Sequence, residues 1–592
     1  MSNLLHLSRI FLTIFILVQV KEEEIVISLN EIETDVTDNN NYEIADKVLT
    51  LKKNNVEYKI SGTCTECQIV IKKEINVQIT ISSIQIDNSN TGPFVIKKSA
   101  VVNLILEGES QITDNENSEN ESSTDTAIAE LFEGAGIKFK SSSTLTISGN
   151  GQLTVNGNTK NGIKGGAQST LIINGGTLKI NSVKNALACD NLLTINDGKI
   201  TIISQSDGIK AEPDEDDNVS LGTITINGGE IKIESQSDAI QAAYKLIING
   251  GTFDIKTYNG ASATGFDEDT MSAKGLKCST DEHENVENIL TINGGTFKLD
   301  TRDDAIHSDY NITITGGSFE ISTGDDGVHA EQYLILGKLN ANNNLINMNI
   351  EKSYEGLEGA NIYIYSGTYN IISSDDGINS AGDAEGCSNN GGGQNDGRNP
   401  GGQGGQNGPG GNRPMNLRNL QNMQSQCLIF HINIYGGEIY VNTGSDGFDA
   451  NGDINISGGN IEIWGMAIGG DGDPIDHDGT LTITGGTILA GGSQGMEPIH
   501  ESANTISQNF IYSTDSYNTN KQIQIKNGDD VIKTITIPKN INYLFYTSKD
   551  TTSNYKFSEG TTNFKSGAEN RNSEARFIYC SINILFLLAL IL

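Results

Sequence analysis

Three consecutive aspartate pairs, Asp303-Asp304, Asp325-Asp326 and Asp375-Asp376, are the residues best suited to chemistry in this sequence, and Asp446 opens a related Asp-Gly-Phe triplet. The first two pairs lie 22 residues apart. If repeats of that length stack as parallel strands, equivalent carboxylates sit about 4.8 Å apart. Two like charges about 5 Å apart repel by roughly 1–3 kcal/mol near a protein surface. Protonation, backbone N–H donors or a divalent cation could relieve such a row. Paired hard oxygens make calcium the sharpest expectation, with Asp303, Asp304, Asp325, Asp326, Asp375, Asp376 and Asp446 as its ligands. The competing reading is a set of Asp turns capping their own backbone. A separate acidic cluster, Asp471, Asp473, Asp476 and Asp478, is the alternative place for ions.

His307 and His329 each follow a ladder aspartate by three residues, and Lys210 and Lys277 occupy that position in other repeats. Lys274, Lys277 and Lys210 are the candidates for removing a proton next to a uronate carboxylate, a reaction in which calcium would acidify that proton. The lysines and the aspartate pairs fall mostly in different repeats, so binding is expected rather than catalysis, and no catalytic residue is assigned. Tyr363, Tyr365, Tyr435 and Trp464, with Tyr369 and Tyr440 nearby, could offer flat faces to sugar rings; ordinary cross-strand aromatic pairing explains them as well. The expected sugar-contacting set is Tyr363, Tyr365, Tyr435, Trp464, Lys210, Lys277, His307 and His329.

What must position these residues is a repeat. A small-residue turn recurs at Gly175, Gly228, Gly250, Gly294, Gly316, Gly436, Gly458 and Gly485, with variants at Asp197 and Ser366, and several neighbouring copies are 22 residues apart. Ten residues later comes Asp or Asn, a small residue and an aliphatic, as in Asn185-Ala-Leu, Asp207-Gly-Ile, Asp238-Ala-Ile and Asp304-Ala-Ile. Between these landmarks, runs such as LTINGGTFKL alternate apolar and polar residues with the period of a half-buried strand. Leu290, Ile292, Phe297, Leu299 and Ile306 should face inward, and Ile312, Ile314, Phe319, Ile321 and Val328 should take their places one turn on. No single repeat could bury such residues, but a stack could. The expected fold is therefore all-β: a right-handed parallel β-helix, or solenoid, with coils of about 22 residues.

Insertions interrupt the period after Lys210, between Tyr258 and Ser272, and over 381–426, where a glycine-rich stretch cannot pack a core. The β-helix is expected over 21–500 and a β-rich cap and stalk over 501–565. Residues 1–20 read as a signal peptide, although no clear small-residue cleavage site follows the apolar run. In 566–592, small residues, the polar spacer ENRNSEAR and a terminal apolar run have the order of a glycolipid-anchor signal, with a plain tail anchor as the alternative. Together these place the protein outside the cell, at the outer face of the plasma membrane. Seven cysteines are compatible with export: Cys64 and Cys67 suit a local disulfide, and Cys387 and Cys427 bracket the glycine-rich insertion. Asn120, Asn218, Asn311 and Asn455 are acceptor sites for N-glycans by sequence. The net charge of −36 excludes nucleic acid as a partner, because no basic stripe is present to meet phosphates.

The order VEYKISGT, VQITISSIQIDNSN, LTISGNGQLTVNGNTKNGIKGG, SDGIKAE, SAKGLKCS, DDAIHSD, DDGVHAE, DDGINSAGD, a glycine-rich insertion and SDGFDANGD resembles the carbohydrate-binding domain proteins of clostridial cell surfaces, over about residues 45–548. Those are parallel β-helices similar to pectate lyases. The resemblance implies binding to polysaccharide, cellulose or acidic pectin, with bound calcium and no established catalysis, here by a monomer. The CTEC pair and the glycolipid-type terminus depart from that bacterial pattern.

Overall fold

The computed structural model describes residues 24–567, apart from 33–36, 125, 214–219, 269, 281–285, 340–344, 382–429, 471 and 496–497. The expected signal peptide, the C-terminal anchor, Cys387, Cys427, Asn218, Asp471 and nearly all of the glycine-rich insertion lie outside the described residues. Among those described, no helix is long and apolar enough to cross a membrane.

Each regular coil contributes three short strands, and each strand pairs in parallel with its equivalent one coil on. Ile289–Ile292 pairs with Asn311–Ile314, Thr296–Thr301 with Gly317–Thr323, and Ile306–Ser308 with the start of Val328–Leu336. The register aligns Leu290 with Ile312, Phe297 with Phe319, Leu299 with Ile321 and Ile306 with Val328. The expected aliphatic ladders are thus the core, and all of these residues are buried. Phe253, Phe297 and Phe319 stack face to face down it, with successive ring centroids 4.6 Å apart. The result is an all-β solenoid built on one long, mainly parallel sheet.

The glycine turns are needed for two reasons. Gly295 has φ +122°, a conformation side chains rarely adopt. At Gly316 a Cβ would lie 2.8 Å from the carbonyl oxygen of Asn293 in the coil below. Just before these turns runs a spine of amides: Asn196 donates to Asn174, Asn227 to Asn196, Asn249 to Asn227 and Asn293 to Asn249, at 2.7–2.9 Å. Each amide is both donor and acceptor, so one side chain per coil ties the corner together.

The parallel stack stops at Thr487–Gly492, whose next neighbour, Tyr543–Thr547, runs antiparallel. A separate three-stranded sheet of Gln522–Asn527, Asp530–Thr536 and Tyr555–Phe557 follows. Cys64 and Cys67 are both buried and are not joined in the expected local disulfide.

Candidate functional site

The short third strand of each coil presents one outward side chain, three residues after the ladder position. Strand register puts Lys138, Lys164, Ala188, Lys210, Gln241 and Lys277 in one row. The same row continues through His307, His329, Glu358, Asn379 and Asp449. Its character changes along the solenoid from lysine through histidine to carboxylate. The structure therefore brings Lys210, Lys277, His307 and His329 together on one sheet. It places Tyr363 on the neighbouring sheet, formed by the first strand of each coil, and Tyr365 and Tyr435 just past the ends of its strands.

The ladder aspartates are built into the backbone. Asp304 accepts from the Asp326 N–H at 3.1 Å, Asp326 from Glu355 at 3.0 Å, Asp376 from Asp446 at 2.8 Å, and Asp446 from the Asp473 N–H. One oxygen of each thus caps the next coil rather than its own turn. The other is free to meet the outward row: Asp238 Oδ2 lies 3.1 Å from Lys277 Nζ, and Asp207 Oδ2 lies 3.4 Å from Lys210 Nζ.

Where three acids converge, a lysine supplies the counter-charge. Lys274 occupies the ladder position between Asp238 and Asp304, and its Nζ lies 2.6 Å from both Asp303 Oδ1 and Asp304 Oδ2. Asp304 Oδ2 also lies 2.8 Å from His307 Nδ1, whose Nε2 meets Asp309 at 2.9 Å. Burial and Lys274 would each lower the His307 pKa, but the bonds to Asp304 and Asp309 outweigh them and raise it to about 9. The neighbouring His329 lies 5.0 Å away, ring centroid to centroid, and burial lowers it to about 4, so it is a neutral imidazole at pH 7. His329 Nδ1 is 3.2 Å from Glu358 and 3.6 Å from Asp326.

Among the described residues, no lysine or arginine forms an ion pair with Asp325, Asp326, Glu355, Asp376, Asp446 or Asp449. Burial and then the neighbouring carboxylates push Glu355 to about 9, Asp446 to about 8, and Asp325 and Asp449 to about 7. Burial and then the Asp304 and Asp325 carboxylates also hold Asp326 well above the usual range. Asp376 rises to about 6, chiefly through burial.

These observations test the fit of calcium. At Asp303 and Asp304 the place between the carboxylates is taken by the Lys274 ammonium, which makes that pair a poor ion site. Asp325, Asp326, Asp376 and Asp446 keep hard oxygens with no lysine between them. Asp325 joins Asp303 and Asp304, and Asp326 joins His329 and Glu358, in groups whose ligand atoms lie within 4.8 Å of one another, whereas Asp376 and Asp446 fall in no such group among the described residues. Asp375 stands beside Tyr354, whose phenol it raises through a hydrogen bond.

The proposed proton acceptors fit poorly as bases. Burial alone would lower Lys210 and Lys274, but their carboxylate partners outweigh it and hold both ammonium groups above the usual lysine range. Lys277 is tied to Asp238 and lies 3.3 Å from the Ser272 hydroxyl.

Among the aromatics, Tyr365 and Tyr435 stack at 4.9 Å with Tyr363 6.5 Å further along, a half-buried stripe. Trp464 does not belong with them, contrary to expectation. Its side chain is fully buried in a cluster with Leu489 of the strand Thr487–Gly492 and Ile511 and Ile541 of the C-terminal cap, with Nε1 donating to Glu462. Asn311 and Asn455 lie within parallel strands. Glu355, Glu358 and the ladder role of Lys274 escaped the sequence reading. The spacing was visible in Glu355-Gly-Leu and Lys274-Gly-Leu, which repeat the Asp-Gly-aliphatic pattern with a different first residue.

One solved structure, described as the polysaccharide lyase-like protein from C. thermocellum, gadolinium derivative, is 26% identical. The match covers 40% of this chain and 91% of that one, with a TM-score of 0.34. No curated protein matches this sequence. Residues 45–327, a little under half of the chain, match the family model described as carbohydrate-binding domain-containing protein.

Proposed function

We propose that this protein binds an acidic polysaccharide along the outward row of the short-strand sheet, without cleaving it, and that calcium assists at the acidic end. The observation that carries this reading is the row itself: one line of mostly ionisable side chains in strand register from Lys138 to Asp449. Its cationic half lies within the residues that match the carbohydrate-binding family. A chain with net charge −36 repels polyanions at long range. An acidic glycan is therefore held only where positive charge is local. Lysine and histidine supply it in the early coils, and calcium on Asp325, Asp326, Asp376 and Asp446 would supply it in the late ones. Bound calcium provides a hard Lewis acid able to bridge protein and glycan carboxylates. The protein's own carboxylates position it and are themselves relieved of repulsion.

Absence of cleavage is proposed because Lys210 and Lys274 are held protonated by their partners. The apolar terminal segments support export and retention at the outer face of a membrane. Truncation at Ser566 should then release soluble protein.

The test is a glycan array with and without a calcium chelator, alongside an ultraviolet assay for unsaturated uronates. Calcium-dependent retention of acidic glycans with no product supports the reading. Ultraviolet-absorbing product would replace it with a lyase, and no retention of any glycan would reject it.

A further inference from the structure

At the lysine end of the row the coil is interrupted between Glu109–Asp114 and Ala135–Phe139 by a short 3-10 segment, Ser118–Ser122, and a one-and-a-half-turn helix, Thr126–Leu131. Together with the early coils it bounds a cleft of about 390 Å³. Lys138, Lys140, Lys160 and Lys164 line the cleft, with Phe132 and the amides of Asn161 and Asn185. The position before Lys138 in the row is Val95, so the charged row begins here.

Three of these lysines are matched by acids. Lys140 contacts Glu133, Lys160 contacts Glu121, and Lys164 Nζ lies 2.9 Å from Asp190 Oδ1. The Lys138 ammonium forms no ion pair or hydrogen bond with any described residue. It nevertheless sits in strand register beside Lys164, about 4.8 Å away along the sheet, where like charges repel. Ordinary lysines escape such crowding by reaching into water. Burial here limits that, and burial followed by Lys164 and Lys140 lowers the Lys138 pKa to about 8. A half-enclosed ammonium without an ion pair, beside three that are paired, is a geometry that lowers in energy when an anion enters, even in a chain whose overall charge repels anions at long range.

We infer that this cleft is an anion subsite, in which Lys138 and Lys164 hold the carboxylate or sulfate of a sugar residue. Phe132 offers the ring an apolar face, and Asn161 and Asn185 offer its hydroxyls partners. As a glycan subsite it rests on the reading of the protein as a polysaccharide binder. It differs from the calcium-assisted coils in that the protein itself provides the positive charge, so it does not need the metal.

The experiment uses the full chain in chelator. Amine-reactive footprinting read by mass spectrometry should label Lys138 readily at pH 8. Galacturonate oligomers or a sulfated oligosaccharide should protect it, whereas neutral oligosaccharides and equal ionic strength of chloride should not. Comparing the two anionic ligands shows which group the cleft takes. Lys138→Met should weaken chelator-resistant binding of the protecting ligand about tenfold or more, the scale of one lost charge-assisted bond. Lys298→Met, on an exposed strand position elsewhere, should leave it unchanged. Because Lys138→Met removes a crowded cation, its melting temperature should be kept or raised; footprinting of the wild type decides the matter if that variant fails to fold. Protection of Lys138 with no retention of any polysaccharide would keep the subsite and reject the wider reading. Absence of protection by either anionic ligand, or equal protection by neutral sugars, would overturn the subsite.

Discussion

Replacing Lys274 by methionine should convert an internally balanced site into a calcium-dependent one. Lys274 is only 15% exposed in its side chain and stands 2.6 Å from both Asp303 and Asp304, themselves 10% and 3% exposed. Its removal leaves two buried carboxylates facing each other and Asp325, whose oxygens lie within 4.8 Å of theirs. Breaking a buried ion pair by removing one partner costs about 3–5 kcal/mol. Losing two charge-assisted bonds at about 1.5–3 kcal/mol each gives an overlapping range of about 3–6 kcal/mol. The assay is urea unfolding followed by circular dichroism, in chelator and then across a calcium series. In chelator the variant should lose about 3–5 kcal/mol in its first transition. Calcium at a hundred times its dissociation constant should return about 2.7 kcal/mol. Adding Asp303→Asn and Asp304→Asn to Lys274→Met should recover most of the loss without any ion. A loss below about 1 kcal/mol, or a loss unchanged by the aspartate substitutions, would refute the claim that Lys274 neutralises this pair.

Other expectations follow from the same geometry. The metal-free protein should lose stability as pH rises from about 4 to 9. Glu355, Asp446 and Asp325 bind protons in the fold at pH values where the unfolded chain, with ordinary carboxylates, has released them. Calcium should flatten that slope in a pH series of melting curves. Asp326→Asn should diminish the calcium response of the melting temperature while keeping much of the metal-free stability, since it removes both a ligand charge and a repulsion. Trp464→Ala should cost about 3–5 kcal/mol by urea unfolding, as a fully buried aromatic, and leave glycan retention unchanged. If the stacked pair forms an accessory platform, Tyr365→Ala should weaken retention at a stability cost below about 1 kcal/mol; a retention assay unchanged by Tyr365→Ala would leave the pair as a structural contact.

The solenoid was legible in the sequence because its energetics are periodic. Leu290, Phe297 and Ile306 can be buried only by residues one coil away, so the spacing that stacks them is written into the chain. The turn glycines were legible for the same reason: Gly295 and Gly316 answer to local backbone and to the coil below. What the residues do with their charge was less legible. That Lys274 rather than an ion lies between Asp303 and Asp304 depends on a side chain crossing from one coil to the next. Residue type alone does not reveal this. Trp464 misled because an aromatic in an alternating strand reads as outward or inward according to what covers it, and the cap that buries it lies far along the chain. Lys138 was passed over because its own repeat has Ala135-Gly-Ile where other repeats carry the Asp or Asn landmark. Its importance comes from the insertion that closes over it.

The most direct test of the account is retention of the purified protein on an immobilised acidic polysaccharide, in calcium and in chelator, with a neutral polysaccharide alongside. Strong retention on the acidic support in calcium, a weaker remainder in chelator that disappears with Lys138→Met, and no released unsaturated product would agree with a calcium-assisted binder. Equal retention with and without calcium, or retention on the neutral support alone, would contradict it.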